Sequence, residues 1–203
     1  MKAYERYSSE MTEYKDRISG VTVHQLPSYL GHSNHTYFTN NGWWDNQKRL
    51  VFNSDRSNAS NLFSIEISTG EISRLTDFGP GQRNRVHFAN DVNQKRNEIY
   101  FIQNDAMYLE TLEQRFLYQA PEGFHMHGGL TGADGDYVYA TLGEDLSNRI
   151  YANLSAAYVG MRDIFYAKPD TRIIRIHVDS GKMEELWQEN CWIGHVNPSP
   201  TLF

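Results

Sequence analysis

Histidines recur at one offset from residues that open polar turns. His35, His127 and His195 each stand four positions before such a residue, and these residues are Thr39, Thr131 and Ser199. Arg85 takes the same place before Ala89. Imidazole has an ordinary pKa of about 6.5, so it can act as a base near neutral pH, and guanidinium carries a fixed positive charge. Any one of these histidines alone indicates a polar residue that fills space, but the recurrence favours a site for an anion or a metal ion.

The residues around these side chains are predicted to form short strands. Alternating or short apolar runs rich in β-branched and aromatic residues indicate ten strands. The runs cover residues 21–26, 50–52, 62–67, 72–75, 99–102, 107–109, 115–118, 137–142, 173–178 and 183–187. Gly70 and Gly181 predict tight hairpin turns, because glycine adopts the positive φ that such turns need, and Gly128-Gly129 also indicates a turn.

The strands are organised as a repeat of four-stranded units. The units cover residues 35–76, 85–120 and 127–188, and a further unit begins at residue 192. Their hairpin turns, predicted near Gly70, Leu112 and Gly181, recur at a spacing of 42 residues and, once an insertion at 144–168 is set aside, of about 44 residues. Units of this kind are typical of a β-propeller, so we predict an all-β fold with three blades and part of a fourth. The innermost strands line the channel of a propeller, where the histidines and Arg85 would form part of a basic ring.

The incomplete ring raises the question of what covers its open edges. We predict that residues 1–203 form a single partial propeller domain in which residues 1–30 supply an outer strand to the last blade. Exposed sheet edges are normally covered in proteins. The chain is then either the first half of a longer protein or a half that self-associates with another copy, and the first interpretation is favoured.

Composition limits the class of partner and the compartment. The 203 residues carry 19 basic and 25 acidic side chains and a net charge of −6, which argues against nucleic acid as a partner. The sequence starts without the apolar stretch of a signal peptide, and no run is long enough to span a bilayer. Cys191 is the single cysteine of the sequence. We therefore expect a cytoplasmic protein without a membrane partner.

Two segments resemble a known family. Residues 171–181 read TRIIRIHVDSG and residues 188–201 read QENCWIGHVNPSPT. Both closely resemble the mid-chain region of the oligogalacturonate lyases, polysaccharide lyase family 22. Residues 50–56, which read LVFNSDR, and residues 62–76 are similar to the first blade of that family.

The resemblance implies a fold, a reaction and a set of site residues. The family has a seven-bladed propeller that cleaves short galacturonate oligomers by β-elimination, with Mn²⁺ or a similar divalent cation in the channel. By motif, the catalytic base is His195 and the assisting arginine is Arg172, and the metal ligands lie beyond residue 203. From the repeat alignment we add His35, Arg85 and His127 as residues that bind the carboxylates or hydroxyls of the oligogalacturonide substrate.

Three functions remain open at this point. The first is a carbon–oxygen lyase of pectin degradation, if the missing blades complete the site. The second is a non-catalytic propeller module that binds an acidic glycan or a protein. The third is an inactive, truncated half-propeller that folds only with a partner half.

Overall fold

The computed structural model describes residues 5–80, 90–104, 106–110, 114–153, 156–199 and 201. Arg85 and the turn predicted near Leu112 lie outside these residues. Within the described ranges, no helix is long and apolar enough to cross a membrane.

Strands dominate the described part of the chain. They are β1 (Arg6–Tyr7), β2 (Thr12–Lys15), β3 (Thr22–Gln25), β4 (Ser33–His35), β5 (Trp43–Trp44), β6 (Arg49–Ser54), β7 (Asn61–Glu66), β8 (Ile72–Arg74), β9 (Asn90–Asn93), β10 (Glu98–Gln103), β11 (Ala106–Glu110), β12 (Arg115–Gln119), β13 (Phe124–Thr131), β14 (Tyr137–Glu144), β15 (Asp170–His177) and β16 (Met183–Asn190). A 3-10 turn covers Arg56–Asn58, and helix α1 covers Met161–Ala167 inside the predicted insertion. Each of the ten predicted runs coincides with a strand to within a few residues.

The strands pair antiparallel in sheets that follow chain order. The first sheet has the order β1-β8-β7-β6-β4, with β5 also paired to β6. The second sheet has the order β12-β11-β10-β9 and the third β13-β14-β15-β16, while β2 and β3 form a separate hairpin. The prediction of an all-β fold built from four-stranded units is therefore confirmed.

The chain divides into two compact units. One unit comprises Met1–Ile99 and Glu110–Glu113, and the other comprises Tyr100–Leu109 and Gln114–Phe203. The division runs through the second sheet, within β10. Residues 191–199 form no strand in this part of the structure, so the unit predicted to begin at residue 192 stays a prediction.

The first unit is held by an apolar cluster on one face of its sheet. Phe52, Phe63, Ile65 and Ile72 are at most 4% exposed and pack together. Each such side chain contributes roughly 1.5–3 kcal/mol when fully buried. Tyr7 packs against this cluster because β1 pairs with β8 as an additional outer strand. A role of residues 1–30 in closing a last blade stays a prediction.

A buried ion pair ties the N-terminal segment to this sheet. Arg56 is 4% exposed, and its Nη1 and Nη2 donate to the two carboxylate oxygens of Glu10 at 2.6 and 2.9 Å. The backbone N–H groups of Ser28 and Tyr29 donate to the same carboxylate at 3.0 Å. The guanidinium also lies over the rings of Tyr7 and Tyr29. Glu10 thus binds both the backbone of Ser28 and Tyr29 and the buried guanidinium of Arg56.

In the third sheet, apolar side chains are buried on one face, and the other face is partly open. The register aligns Met126 with Leu142 and Val138 with Ile176, and these four side chains are at most 2% exposed. The other face carries His127, which is exposed, and Trp187 of β16, which is 58% exposed, although Thr141 and Thr171 on that face are buried.

The predicted turn at Gly128-Gly129 is wrong, because both glycines lie inside β13. Their φ angles are 90° and 102°, and the register shifts between Gly128 and Leu130, which defines a β-bulge. A Cβ on Gly129 would lie 3.3 Å from the Met107 side chain, so the bulge also allows close packing. The tight turns predicted at Gly70 and Gly181 have the expected positive φ, at 73° and 67°.

The buried ion pair predicts a large loss of stability when only one partner is removed. We expect Glu10→Gln to lower the free energy of unfolding by about 3 kcal/mol, because Arg56 keeps its charge in a buried site. Hydrogen bonds from Arg56 hold the pKa of Glu10 below its ordinary value. The stabilisation is therefore present above the ordinary pKa of Glu10 and is lost as the pH falls through its lowered pKa. Urea unfolding at several pH values measures both effects.

Glu5→Gln is the matched control for this variant. Glu5 pairs with Arg74 at 3.2 Å, but its side chain is 56% exposed, so the change should cost less than about 1 kcal/mol. Equal losses for the two variants, or a loss for Glu10→Gln that persists undiminished at low pH, would contradict the assignment.

Candidate functional site

Four strand ends meet at one end of the third sheet, which we call the entry end. β13 begins at Phe124 where β14 ends at Glu144, and these two residues are direct partners. β15 begins at Asp170 where β16 ends at Asn190, and these are also partners. The backbone N–H of Asp170 donates to Oε2 of Glu144 at 3.2 Å, which joins the two pairs. Antiparallel pairing therefore assembles residues that are far apart in the sequence.

Arg172 lies two residues inside this end and is held by carboxylates. Its Nε and Nη2 donate to Oδ2 of Asp170 at 3.3 and 2.8 Å, and its Nη1 lies 3.6 Å from Oε2 of Glu185. The guanidinium carbon is 4.6 Å from the centre of the Phe124 ring. The hydrogen bond to Asp170 raises the pKa of Arg172, and the same contact lowers the pKa of Asp170. Arg172 is thus a permanently charged group with a fixed plane.

Asp170 is itself fixed by neighbours other than Arg172. Its Oδ1 accepts a hydrogen bond from Nε2 of Gln188 at 3.0 Å. Glu144, which accepts from the backbone of Asp170, also pairs with Arg149 at 2.5 Å. The result is a connected polar network in which Arg172 cannot turn without breaking several contacts.

His127 and Arg172 lie on opposite faces of the third sheet. Arg172 is aligned with Leu142 on the buried face, whereas His127 is aligned with Thr141 on the alternate face. Within the described part of the chain, the partners of Arg172 include neither His127 nor His195. The structure therefore does not bring these predicted site residues together in one contact.

A second imidazole stands beside His127 and was missed by the sequence analysis. The ring centres of His125 and His127 are 6.5 Å apart. Nε2 of His125 lies 2.9 Å from Oδ1 of Asp145, the residue that follows β14. Nothing in the local sequence signals this pair, because its members are 20 positions apart and meet only through the β13–β14 pairing.

Asp145 is a strongly acidic partner for this imidazole. Hydrogen bonds from the hydroxyl and the backbone N–H of Ser147, together with the smaller effect of the nearby His125, lower the pKa of Asp145 to about 2. The backbone donor lies 2.8 Å from Oδ1. Asp145 is therefore ionised at any pH at which the protein would be assayed.

His195 follows the entry end of the third sheet at a short distance along the chain. It is exposed and stands five residues beyond Asn190, where β16 ends. Five extended residues span at most about 18 Å, so the imidazole stays within reach of the entry end. Trp192 anchors this segment through an edge contact with Phe165, with ring centres 5.4 Å apart.

His35, another member of the predicted ring, lies in the first sheet. His35 ends β4, which is the edge strand of the first sheet, just as β13 carries His127 on the edge of the third. Nδ1 of His35 lies 3.2 Å from the hydroxyl oxygen of Thr36, and its ring packs over Gly42. Arg85 lies outside the described residues, and a common channel for these side chains stays a prediction.

No metal centre is visible among the residues that the structure describes. No group of three histidine, cysteine, aspartate or glutamate side chains in those ranges could hold a metal ion. The His125–Asp145 pair offers two such groups, which are too few for the three or four protein ligands of a typical transition-metal site.

Comparison with known proteins identifies the family. A family model described as oligogalacturonate lyase matches residues 1–201. The chain belongs to the oligogalacturonate lyase family. This match covers nearly the whole sequence and confirms the resemblance noted for residues 171–181 and 188–201.

Similar proteins show the same family and a common fold. The chain is 23% identical to an oligogalacturonide lyase of Pectobacterium atrosepticum and 24% identical to an oligogalacturonate lyase of Dickeya dadantii, over 90% of its own length in both cases. A solved oligogalacturonate lyase in complex with manganese matches with a TM-score of 0.79 at 18% identity, over 96% of this chain and 51% of the other. This likeness confirms the β-propeller fold class. The chain spans about half the length of its relatives, at 46% of each curated sequence.

The environment of Asp145 predicts which substitution most affects its acidity. We expect Ser147→Ala to raise the pKa of Asp145 towards its ordinary value, because this change removes the hydroxyl donor that has the largest effect. His125→Ala should raise it less, since the histidine is a smaller cause. Carboxyl ¹³C chemical shifts followed as a function of pH measure both values. A larger rise in His125→Ala would reverse the order that we assign.

Proposed function

We propose that this chain forms the first half of an oligogalacturonate lyase and takes part in β-elimination of short galacturonate oligomers. The single observation that carries the proposal is the family match across residues 1–201. The fixed guanidinium of Arg172 beside the segment that carries His195 supports it at the level of chemistry. The role would belong to pectin degradation in the cytoplasm.

The reaction needs a base and a means of stabilising negative charge. The proton on C5 of the sugar is weakly acidic because it lies next to a carboxylate. In the proposal, His195 removes this proton, and the electron pair of the C5–H bond forms a C4–C5 double bond as the C4–O bond breaks. The leaving oxygen takes up a proton, and the products are an unsaturated uronate and a shortened chain.

Arg172 would hold the carboxylate on which negative charge accumulates. A planar guanidinium suits this task because two parallel N–H groups match two carboxylate oxygens. Asp170 already occupies the Nε and Nη2 side at 3.3 and 2.8 Å. On the Nη1 side, the contact with Glu185 is longer, at 3.6 Å. A substrate carboxylate would therefore bind on this more weakly held side of the guanidinium.

The other predicted residues would bind the remaining sugars. His35, Arg85 and His127 would contact carboxylates or hydroxyls of the oligomer. The exposure of His127 and its place on the edge strand of the third sheet are compatible with this role.

A divalent cation is proposed for the complete enzyme but not for the described residues. The manganese complex of a solved relative supports Mn²⁺ as the cofactor of the family. The described residues do not fit such a centre, because they contain no suitable group of three ligands. The ligands would come from the other half of the propeller, and we assign no step of the reaction to the metal here.

A non-catalytic module that binds acidic glycans is the alternative. It is favoured by one observation, which is that Arg172 and His127 lie on opposite faces of the third sheet. The two proposals differ in what the chain does with trigalacturonate. A binding module binds the intact trimer, whereas the lyase releases unsaturated product once the other half is supplied.

The test measures elimination with and without that second half. The chain is mixed with Mn²⁺, trigalacturonate and the separately produced second half of the Dickeya dadantii relative, and the absorbance of the unsaturated product is followed. Product formation that depends on both halves supports the lyase. Binding without product in every mixture, checked by titration calorimetry, would favour the module.

In the active assembly, we expect His195→Ala to reduce kcat by roughly 10²–10⁴ while substrate binding changes little. The reason is that a base acts mainly in the transition state. Arg172→Lys should also be harmful, because an ammonium group cannot reproduce the planar fork. Near-normal turnover of His195→Ala would exclude His195 as the base and make His127 the next candidate.

Asp170 should act only through Arg172, which a double-mutant cycle can test. We expect Asp170→Asn to reduce kcat about tenfold in the wild-type background, because Arg172 loses the charged partner that fixes its plane. In an Arg172→Ala background the same change should have little further effect on kcat. Additive effects would show that Asp170 acts independently of Arg172.

A further inference from the structure

Two turns of the first unit enclose a small cleft that none of the proposed site residues lines. Its volume is about 140 Å³, and its walls include two aromatic and four amide side chains. These are Trp43, Trp44, Asn46, Gln47, Gln94 and Asn97. Drug-sized ligands occupy cavities of about 300–1,000 Å³, so this cleft has room for a single ring.

The cleft is built from backbone that is held in an uncommon conformation. Asp45, Asn46 and Gln47 follow β5 in sequence and have φ angles of 51°, 54° and 65°. Asn97, on the opposite wall, has a φ of 56°. Non-glycine residues in this left-handed region persist only where the surrounding structure holds them, and they concentrate at functional sites.

Hydrogen bonds between the two turns fix the walls. The indole N–H of Trp44 donates to the carbonyl oxygen of Asn97 at 3.1 Å. The backbone N–H of Asp45 donates to the side-chain oxygen of Asn97 at 2.9 Å. The cleft is therefore preorganised before any ligand binds, which lowers the entropic cost of binding.

The lining chemistry matches a carbohydrate. Trp43 is 43% exposed, and the electron-rich face of an indole attracts the polarised C–H groups of a sugar ring. The amides of Asn46, Gln47 and Gln94 are exposed, and each can donate and accept hydrogen bonds as sugar hydroxyls do.

We propose that this cleft binds one sugar ring of an oligosaccharide. An organic ammonium ion is the other ligand that aromatic side chains recognise. It is disfavoured because the nearby carboxylate of Asp45 already has Arg49 as a partner at 3.8 Å, and because amides outnumber aromatic faces in the walls. The proposal stands apart from the lyase reaction, since it requires binding but no turnover.

The test follows the tryptophan indole N–H signals of the chain by NMR during titration with trigalacturonate, neutral galactotriose and choline. We expect the Trp43 signal to shift with at least one of the two sugars and not with choline. Trp43→Ala should weaken sugar binding at this site about tenfold, read from the Trp44 indole signal and the Gln94 amide signal. Gln94→Ala should weaken it several-fold, and as an exposed turn substitution it preserves the fold if Trp43→Ala does not.

Trp187→Ala is the matched control, because Trp187 is also an exposed tryptophan but belongs to β16, outside the cleft. It should leave the affinity unchanged. The proposal is overturned if neither sugar shifts the Trp43 signal, if choline alone shifts it, or if both cleft variants bind sugar as the wild-type chain does. The NMR signals report binding at Trp43 and not turnover. A failure of the lyase proposal would therefore not decide whether this cleft binds sugar.

Discussion

The register of the third sheet is the constraint on which the candidate site depends. It places the first residue of β13 beside the last of β14, and the first of β15 beside the last of β16. A slip of one residue would move Arg172 and Asp170 together to the other face of the sheet, away from Phe124 on β13. Buried side chains such as Leu142 and Ile176 prevent that slip, because it would expose them to water. The buried apolar side chains therefore fix the position of Arg172, although they form no hydrogen bond or ion pair with it.

Most of the fold could be predicted because apolar alternation encodes strands that are buried on a face. The six strands outside the predicted runs lack this signal: β1, β2, β4 and β9 are short and polar, β5 is only Trp43–Trp44, and β13 is interrupted by Gly128-Gly129. These strands form because a neighbouring edge offers hydrogen bonds, which local sequence does not report. The prediction of a turn at Gly128-Gly129 is wrong for a related reason, since glycine permits a bulge within a strand as readily as a turn.

Residues of the candidate site could be predicted only where they lie in a short, recognisable sequence motif. Arg172 and His195 lie in segments that resemble the family, so the sequence singles them out. The His125–Asp145 pair has no such motif, and its two members meet only because β13 and β14 pair. Strand alternation does predict that Arg172 and Arg175 have separate roles. Arg175 indeed pairs with Glu184 at 2.7 Å, apart from the partners of Arg172.

Under the proposed function, charge balance makes the network around Arg172 insufficient by itself to bind an acidic oligomer. Oligogalacturonate carries a carboxylate on every sugar, whereas Arg172 is already opposed by Asp170 and Glu185. These two carboxylates outweigh one guanidinium, so the local charge alone would repel a third carboxylate. The chain as a whole adds a net charge of −6. The proposed function therefore requires positive charge from groups outside this network, such as the ring predicted around Arg85 and the histidines or the cation proposed for the complete enzyme. In that proposal, an arginine held so firmly by its own sheet would orient one substrate carboxylate, and the other groups would attract the oligomer as a whole.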